Sequence, residues 1–224
     1  MASFVSVDKI DVVLPCRDEA RALPGVITAL PEGYHALVVD NGSTDGSPEI
    51  AARLGATVVH EPRVGYGAAV HTGLEAATSD VVCFLDADGS LDPAELPTLA
   101  APVLAGTADL AVGRRVPVAR GVWPWHARAG NLLLARLLRG RGLDVHDIAP
   151  ARAVNRAPLL ALDVTDRAFG YPLELLVKAQ RAGWRVVEHD VSYRERARGT
   201  KSKVSGSVLG TTRAVRDMAR VLRQ

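Results

Sequence analysis

Five short apolar runs alternate with helix-like segments along the first half of the chain, and this pattern constrains the fold most. The runs cover residues 10–15, 36–40, 57–60, 80–86 and 109–113. Continuous apolar strands that alternate with helices are typical of a parallel sheet covered on both faces. We therefore predict an α/β fold with a Rossmann-like, mainly parallel sheet and helices on both faces.

Helical patterns fill the intervals between these runs and much of the second half. We predict helices at 18–30, 47–54, 65–77, 92–105, 128–138, 171–182 and 204–222, with Asp18 as the N-cap of the first. A strand or extended loop should follow at 147–154, and a strand at 185–191. Cys16 and Cys83 lie in apolar runs, which favours buried free thiols.

Two aspartates close the fourth apolar run, at the sheet edge where α/β proteins bind their ligands. Asp86 and Asp88 are one residue apart and precede a turn at Gly89. Close carboxylates repel each other unless a cation sits between them, and hard oxygen ligands suit Mg2+ or Mn2+. The pair predicts a divalent metal site; an ordinary turn or helix cap is the alternative.

Other strand ends also carry candidates. Asp40 could meet a base or ribose, or it could cap the turn at 41–45. Gly65-x-Gly67 resembles part of a dinucleotide fingerprint, but Val70 replaces the third glycine, which argues against a dehydrogenase. We keep Gly67 as a candidate cofactor contact. GxxxxGK[ST] and GxSxG do not occur, so a P-loop enzyme and an α/β-hydrolase are excluded.

Charge is distributed unevenly between the two halves. Residues 1–112 contain 16 acidic and 5 basic side chains, whereas residues 113–224 contain 9 acidic and 22 basic ones. One half could hold a cation and the other an anionic ligand, or the two could simply attract each other as solvated surfaces. The basic half lacks interleaved aromatic residues, which argues against nucleic-acid binding.

Four segments occur in order: VVLPCRDEA, LVVDNGSTDGS, GYGAAVHTGLEAATSD and VVCFLDADGS. Together they resemble family 2 of the GT-A glycosyltransferases, in particular dolichol-phosphate mannose synthase and related polyprenyl-phosphate glycosyltransferases. The similarity continues through VGRR, RAGNLLLARLL, DIAPARA, FGYPLELLVKAQRAGWRVVEHDVSYRER and GTKSKVSG, and so covers about residues 10–207. It implies a GT-A domain at 1–203, with donor and metal bound by 1–112 and acceptor by 113–203.

The resemblance also implies roles for individual residues. On the donor side, Pro15 and Glu19 would line the nucleotide, Asp40 the nucleoside, and Asp86 and Asp88 would bind the metal, Asp88 acting in catalysis. On the acceptor side, Arg115 would contact a phosphate, and Arg128 and Asn131 would lie on the acceptor-side helix. Ser202 and Lys203 would belong to a basic loop that closes over phosphates, and Glu174 would be a carboxylate near the acceptor. Glu174 would be the base for a hydroxyl acceptor, or else a partner of Lys178.

Some positions depart from the family pattern. Residues 16–18 differ from the usual residues before Glu19, and Ser90 stands where relatives often supply a third polar metal ligand. Residues 148–152 replace a segment that contains Thr, Ser and Gly, which leaves the acceptor open between a polyprenyl phosphate and a small molecule. The predicted activity is metal-dependent, inverting hexosyl transfer from UDP- or GDP-hexose. The alternatives are a sugar-phosphate nucleotidyltransferase and a non-catalytic nucleotide-sugar-binding protein.

The tail at 204–224 reads as an amphipathic appendage. One face carries apolar residues and the other carries Arg213, Arg216, Arg220 and Arg223. It could pack on the domain, lie on anionic lipid or form a homodimer. The N-terminus lacks a signal-peptide pattern, and no apolar run approaches the ~20 residues that span a bilayer. We expect a cytoplasmic protein that could rest on the inner face of the membrane.

Overall fold

The structure is a computed structural model that describes residues 9–197, 216–218 and 220–221. Its described strands form one seven-stranded sheet of order β3-β2-β1-β4-β6-β5-β7. Their bounds are β1 Ile10–Cys16, β2 Tyr34–Asp40, β3 Thr57–His60, β4 Val81–Phe84, β5 Leu110–Pro117, β6 Arg152–Asn155 and β7 Val186–Tyr193. Only β6 runs antiparallel to its neighbours in this sheet. The predicted α/β fold with a mainly parallel sheet is confirmed.

Helices cover both faces of the sheet. Their bounds are α1 Leu23–Thr28, α2 Ser47–Arg53, α3 Tyr66–Ala76, α4 Leu96–Leu104, α5 Trp125–Arg139, α6 Arg156–Ala161 and α7 Tyr171–Arg181, and a 3-10 turn at Pro93–Glu95 precedes α4. Because strand side chains alternate, Val13 packs with α3, α5, α6 and α7 on one face, whereas Val12 packs with α1, α2 and α4 on the other. A Cβ on Gly73 would lie 2.3 Å from Val13 Cγ1, so α3 sits very close to β1.

Several predicted boundaries were wrong. The first helix begins at Leu23, not at Asp18, because Asp18 has a left-handed backbone (φ 55°) and its Oδ1 accepts a hydrogen bond from the Thr44 N–H. Of the extended segment at 147–154, only the part that begins at Arg152 joins the sheet. Helix α6 was not predicted. Cys16 and Cys83 are buried free thiols, as predicted.

The tail lies mostly outside the described residues. Residues 216–218, 220 and 221 are helical, and Val221 and Met218 pack against the apolar cluster that contains α7. For these residues the contacts are those of a helix packed on the domain. No helix among the described residues is both long and apolar enough to cross a membrane.

Candidate active site

The two aspartates that follow β4 have different surroundings. Asp88 is buried: its Oδ1 accepts a hydrogen bond from the Ser90 N–H at 2.9 Å, and its Oδ2 lies 2.9 Å from Arg196 Nη1. Asp86 is partly buried, and its carboxylate makes no hydrogen bond or ion pair to the part of the chain that the structure describes. Burial and then the nearby charge of Asp88 raise the pKa of Asp86 to about 6. Asp86 thus has no bonded partner among the described residues, and the charges of Arg196, Arg115 and Arg152 offset its burial only in part.

This pair fits a divalent cation. A cation between the two carboxylates would offset both the burial of Asp86 and the repulsion from Asp88. Within residues 9–197 and the described tail positions, no group of three or more His, Cys, Asp and Glu side chains could hold a metal ion. Asp86 and Asp88 would therefore supply two ligands, and the oxygens of bound phosphate and water would supply the others, as is usual for Mg2+.

The segment after β7 lies directly along the loop that carries this pair. The Arg194 N–H donates to the Ser90 carbonyl at 2.8 Å, and the Ala197 N–H donates to the Asp88 carbonyl at 3.1 Å. The ion pair from Arg196 to Asp88 completes the contact. Sequence reasoning missed Arg196, which occupies the place of a cation beside Asp88.

Arg115, near the end of β5, is held in a fixed orientation. Its Nε donates to Asp147 Oδ2 at 2.8 Å and its Nη2 donates to Asp147 Oδ1 at 2.7 Å. The guanidinium carbon also lies 4.2 Å from the centre of the Trp123 ring and 5.5 Å from that of Tyr193. Burial alone would lower the pKa of Arg115, but the bonds to Asp147 raise it above its usual value. Arg115 therefore stays positively charged. Sequence reasoning did not identify Asp147.

A second arginine, Arg152, is buried and interacts electrostatically with Asp86. Arg152 is 1% exposed, and its Nη2 donates to the Ile148 carbonyl at 2.7 Å. Its Nε and Nη1 have no hydrogen-bond partner in the described chain. Burial lowers the pKa of Arg152, and the nearby Tyr66, Tyr171 and Asp86 oppose that shift. Sequence reasoning missed Arg152, although an arginine inside an apolar strand segment was a signal that could have identified it.

The predicted nucleotide contacts gather around the ends of β1 and β2. Pro15 pairs with Val39 in the sheet, and Glu19 is buried with its N–H donating to Ser47 Oγ at 2.9 Å. Asp40 accepts from the Ser43 N–H at 3.0 Å, and its second oxygen lies 3.3 Å from His60 Nδ1. The turn-capping alternative for Asp40 is therefore confirmed. Its contact with a nucleoside stays a prediction.

The glycines at the start of α3 have a packing role. A Cβ on Gly65 would lie 2.2 Å from the Arg167 carbonyl oxygen, and one on Gly67 would lie 2.8 Å from that of Asp166. The Gly67 N–H donates to the Ala168 carbonyl at 3.0 Å. The backbone of this loop thus packs against the start of α3, which accounts for the two glycines. The contact of Gly67 with a cofactor stays a prediction.

Glu174 holds the same loop in place. Its Oε1 accepts from the Thr165 N–H at 2.9 Å, its Oε2 accepts from the Asp166 N–H at 2.6 Å, and Lys178 Nζ lies 3.1 Å from Oε1. Burial would raise the pKa of Glu174, but these bonds together lower it. Both oxygens are occupied in a buried setting, which does not suit a general base. The predicted alternative, pairing with Lys178, is confirmed.

The acceptor-side candidates are dispersed. Asn131 is buried and clamps a loop, since its Nδ2 donates to the His146 carbonyl at 3.3 Å and its Oδ1 accepts from the Ile148 N–H at 3.1 Å. Arg128, on the same helix, is exposed. Ser202 and Lys203 lie outside the described residues. Arg115 is an acceptor-side candidate whose charge interacts with that of Asp86.

Comparison with known proteins agrees with this arrangement. The profile of glycosyl transferase family 2 matches residues 11–161. An uncharacterized glycosyltransferase of Mycobacterium tuberculosis H37Rv is 56% identical over 216 residues, which cover 96% of this chain and 98% of that protein. The polyprenol monophosphomannose synthase of Mycolicibacterium smegmatis is 34% identical over 88% of this chain and 81% of its own.

Among solved structures, glucosyl-3-phosphoglycerate synthase from Mycobacterium tuberculosis superimposes with a TM-score of 0.76 at 25% identity. The match covers 95% of this chain and 78% of that one, which is in complex with Mn2+, uridine diphosphate and glucosyl-3-phosphoglycerate. The profile spans more than half of the chain, and the relatives cover nearly all of it. The chain therefore belongs to glycosyltransferase family 2 and is a hexosyltransferase with the GT-A fold.

Proposed function

We propose that this enzyme transfers a hexose from a nucleotide sugar, UDP- or GDP-linked, to an anionic acceptor with inversion at the anomeric carbon. The observation that carries the proposal is the aspartate pair after β4, in which Asp86 forms no ion pair with the described residues, whereas Asp88 pairs with Arg196. A divalent ion bound there, Mg2+ or Mn2+, would stabilise the charge of the leaving diphosphate. Donor and metal would belong to residues 1–112 and the acceptor to 113–203, with 204–224 as an appendage.

The chemistry of transfer needs one nucleophile and one leaving group. An acceptor oxygen attacks the anomeric carbon while the bond from that carbon to the donor phosphate oxygen breaks, and the nucleoside diphosphate leaves. A phosphate acceptor is already ionised and needs no base, whereas a hydroxyl acceptor would need one. Because Glu174 is occupied by its loop and by Lys178, a phosphate acceptor suits the described residues better.

Arg115 is the residue that we assign to the acceptor phosphate. Asp147 fixes the plane of its guanidinium, and the Trp123 ring covers one side, so its remaining donor edge is oriented in advance. Charge-assisted bonds from arginine to phosphate are strong and directional. The relatives' names agree with such an acceptor: one is a polyprenol monophosphomannose synthase, and another holds glucosyl-3-phosphoglycerate.

Two acceptors share this chemistry, a polyprenyl phosphate and a small phosphorylated molecule. We favour the polyprenyl phosphate, because relatives named for lipid-linked acceptors match most of the chain at the higher identity. The enzyme would then work in the cytoplasm, at the inner face of the membrane that holds the acceptor. Family membership sets aside the nucleotidyltransferase alternative, and a non-catalytic donor-binding protein becomes an outcome of the test below.

Thermal shift with UDP-, GDP- and dTDP-sugars, with and without Mn2+, tests the donor site. One donor should stabilise the parent only when metal is present, and Asp88→Ala should abolish that shift. Asp144→Ala is the matched control, because Asp144 is an exposed aspartate. Stabilisation without metal, or an unchanged shift in Asp88→Ala, would refute the metal site. Labelled-sugar transfer to polyprenyl phosphate and to 3-phosphoglycerate then separates the acceptors, and binding without transfer would indicate a non-catalytic protein.

A further inference from the structure

Helix α5 exposes its large apolar side chains instead of burying them. Trp125 is 81% exposed, and Leu132, Leu133 and Leu137 are 59%, 60% and 42% exposed. The opposite face of α5 buries Ala135 and Leu138, so the helix is anchored to the domain while a broad apolar strip faces outward. An exposed apolar strip on a well-anchored helix indicates an interaction surface.

The chain around this strip is strongly and uniformly basic. Residues 113–143 contain seven arginines and no aspartate or glutamate. Arg114 and Arg115 are paired with aspartates, whereas Arg120, Arg128 and Arg136 are exposed and have no ion-pair partner among the residues that the structure describes. Arg128 and Arg136 flank Leu132 at helical spacing, so apolar and cationic side chains share one surface.

We propose that the exposed face of α5 docks on an anionic lipid surface. Leucines would enter the boundary between headgroups and acyl chains, the Trp125 ring would lie at that boundary, and the arginines would meet lipid phosphates. Charge favours lipid over a second copy of the chain, because two such faces would bring like charges together. The inference goes beyond the proposed function, since it requires neither a donor nor a particular acceptor.

Vesicle flotation without donor or acceptor tests the surface. The parent should float with phosphatidylcholine vesicles that contain phosphatidylglycerol and much less with phosphatidylcholine alone. The double variant Leu132→Gln/Leu133→Gln should lose about tenfold or more in binding, because burial of two leucines is lost. Glutamine is a good helix former, so α5 should persist. Leu104→Gln is the matched control: Leu104 is 58% exposed at the end of α4, which packs on the other face of the sheet.

Two further measurements complete the test. Arg120→Gln/Arg136→Gln should weaken binding to the anionic vesicles about fivefold per arginine at low salt and less at high salt. Brominated lipid should quench parent fluorescence more than that of Trp125→Phe. Failure of the parent to bind anionic vesicles, or unchanged binding by the leucine variant at an unchanged melting temperature, would overturn the proposal. So would a dimer in light scattering that the leucine variant dissociates, since the surface would then serve a second copy.

Discussion

The acidic and basic halves of the chain satisfy their charges in different ways. In the acidic half, carboxylates are mostly held by backbone and hydroxyl donors: Asp11 accepts from Thr78 and Ser79, Asp45 from Ala20 and Ser47. In the basic half, several arginines pair with carboxylates, as Arg115 does with Asp147, and others donate to backbone carbonyls, as Arg156 does to that of Leu74. Charges that escape these two patterns, such as Asp86, therefore mark the places where an outside ion or ligand is expected.

Ion pairs also join the two halves. Arg185 pairs with Asp109, Arg194 with Asp92, and Arg196 with Asp88, at 2.8–2.9 Å. Mutual attraction of the halves, one of the alternatives for the uneven charge, is thus part of the fold. It does not account for Asp86, or for Arg128 and Arg136 of α5, which form no ion pair with the residues that the structure describes. Changing one charge at a time distinguishes the charges that stabilise the fold from those that serve function.

The largest expected effect is on Asp86. Asp86→Asn removes the carboxylate that has no partner, so transfer should fall about 10²–10³-fold as charge stabilisation is lost. The metal-free protein should melt at or above the temperature of the parent, because burial and the charge of Asp88 disfavour the ionised Asp86 carboxylate that the substitution removes. Initial rates under saturating Mn2+ and thermal melts in EDTA check both. A clear drop in melting temperature would show that Asp86 is a structural carboxylate.

Asp147 should show the reverse pattern, a loss of stability. Asp147→Asn leaves the buried charge of Arg115 without its partner, which should cost about 3 kcal/mol in the free energy of unfolding. The control is Asp190→Asn, because Asp190 grips Arg114 with the same two-bond geometry on the surface. Exposed pairs contribute about 0–1 kcal/mol. Urea denaturation measures both variants, and equal losses would contradict the distinction between buried and exposed pairs.

The sequence predicted the acidic half better than the basic half, for a physical reason. Strands β1 to β4 are continuous apolar runs, and parallel strands bring their polar ends to one edge, so local pattern located Asp40, Asp86 and Asp88. In the basic half, roles depend on distant partners: Arg115 and Asp147 are 32 positions apart, and only the tertiary fold brings them together. Local pattern could not reveal that pairing, or the burial of Arg152.

Gly67 is a second case in which a local sequence pattern does not reveal a tertiary contact. Its place at the start of a helix after a strand resembles a phosphate-binding turn, and the sequence alone favoured a cofactor contact. In the structure the loop at 165–168 crosses the helix start, where a side chain would collide with it, so packing alone is enough to require the glycine. The need for glycine was visible in the sequence, but its cause lies about a hundred residues away and is tertiary.

A substitution of Glu174 tests whether this residue holds the loop at 165–168 in place or acts in catalysis. Glu174→Gln keeps the shape but weakens the bonds from Thr165 and Asp166 and the pair with Lys178, so the free energy of unfolding should fall by about 2 kcal/mol. The activity of the folded fraction should stay within a few-fold of the parent, with an unchanged pH profile. A loss of 10²-fold or more in kcat with normal stability would restore Glu174 as a base.

Arg196, in the basic half, would compete with a metal ion for Asp88, in the acidic half. Its guanidinium already lies beside the Asp88 carboxylate. A metal that binds Asp88 must displace this partner, so Arg196→Gln should increase the affinity for Mn2+ without donor by about tenfold, the equivalent of a partly buried pair. Arg194→Gln is the control, because Arg194 belongs to the same segment but pairs with Asp92. Calorimetric titration of Mn2+ into the donor-free protein measures both variants. Equal or weaker binding by Arg196→Gln would mean that Arg196 supports the metal site and does not compete for it, and the basic half would then help to assemble the donor site.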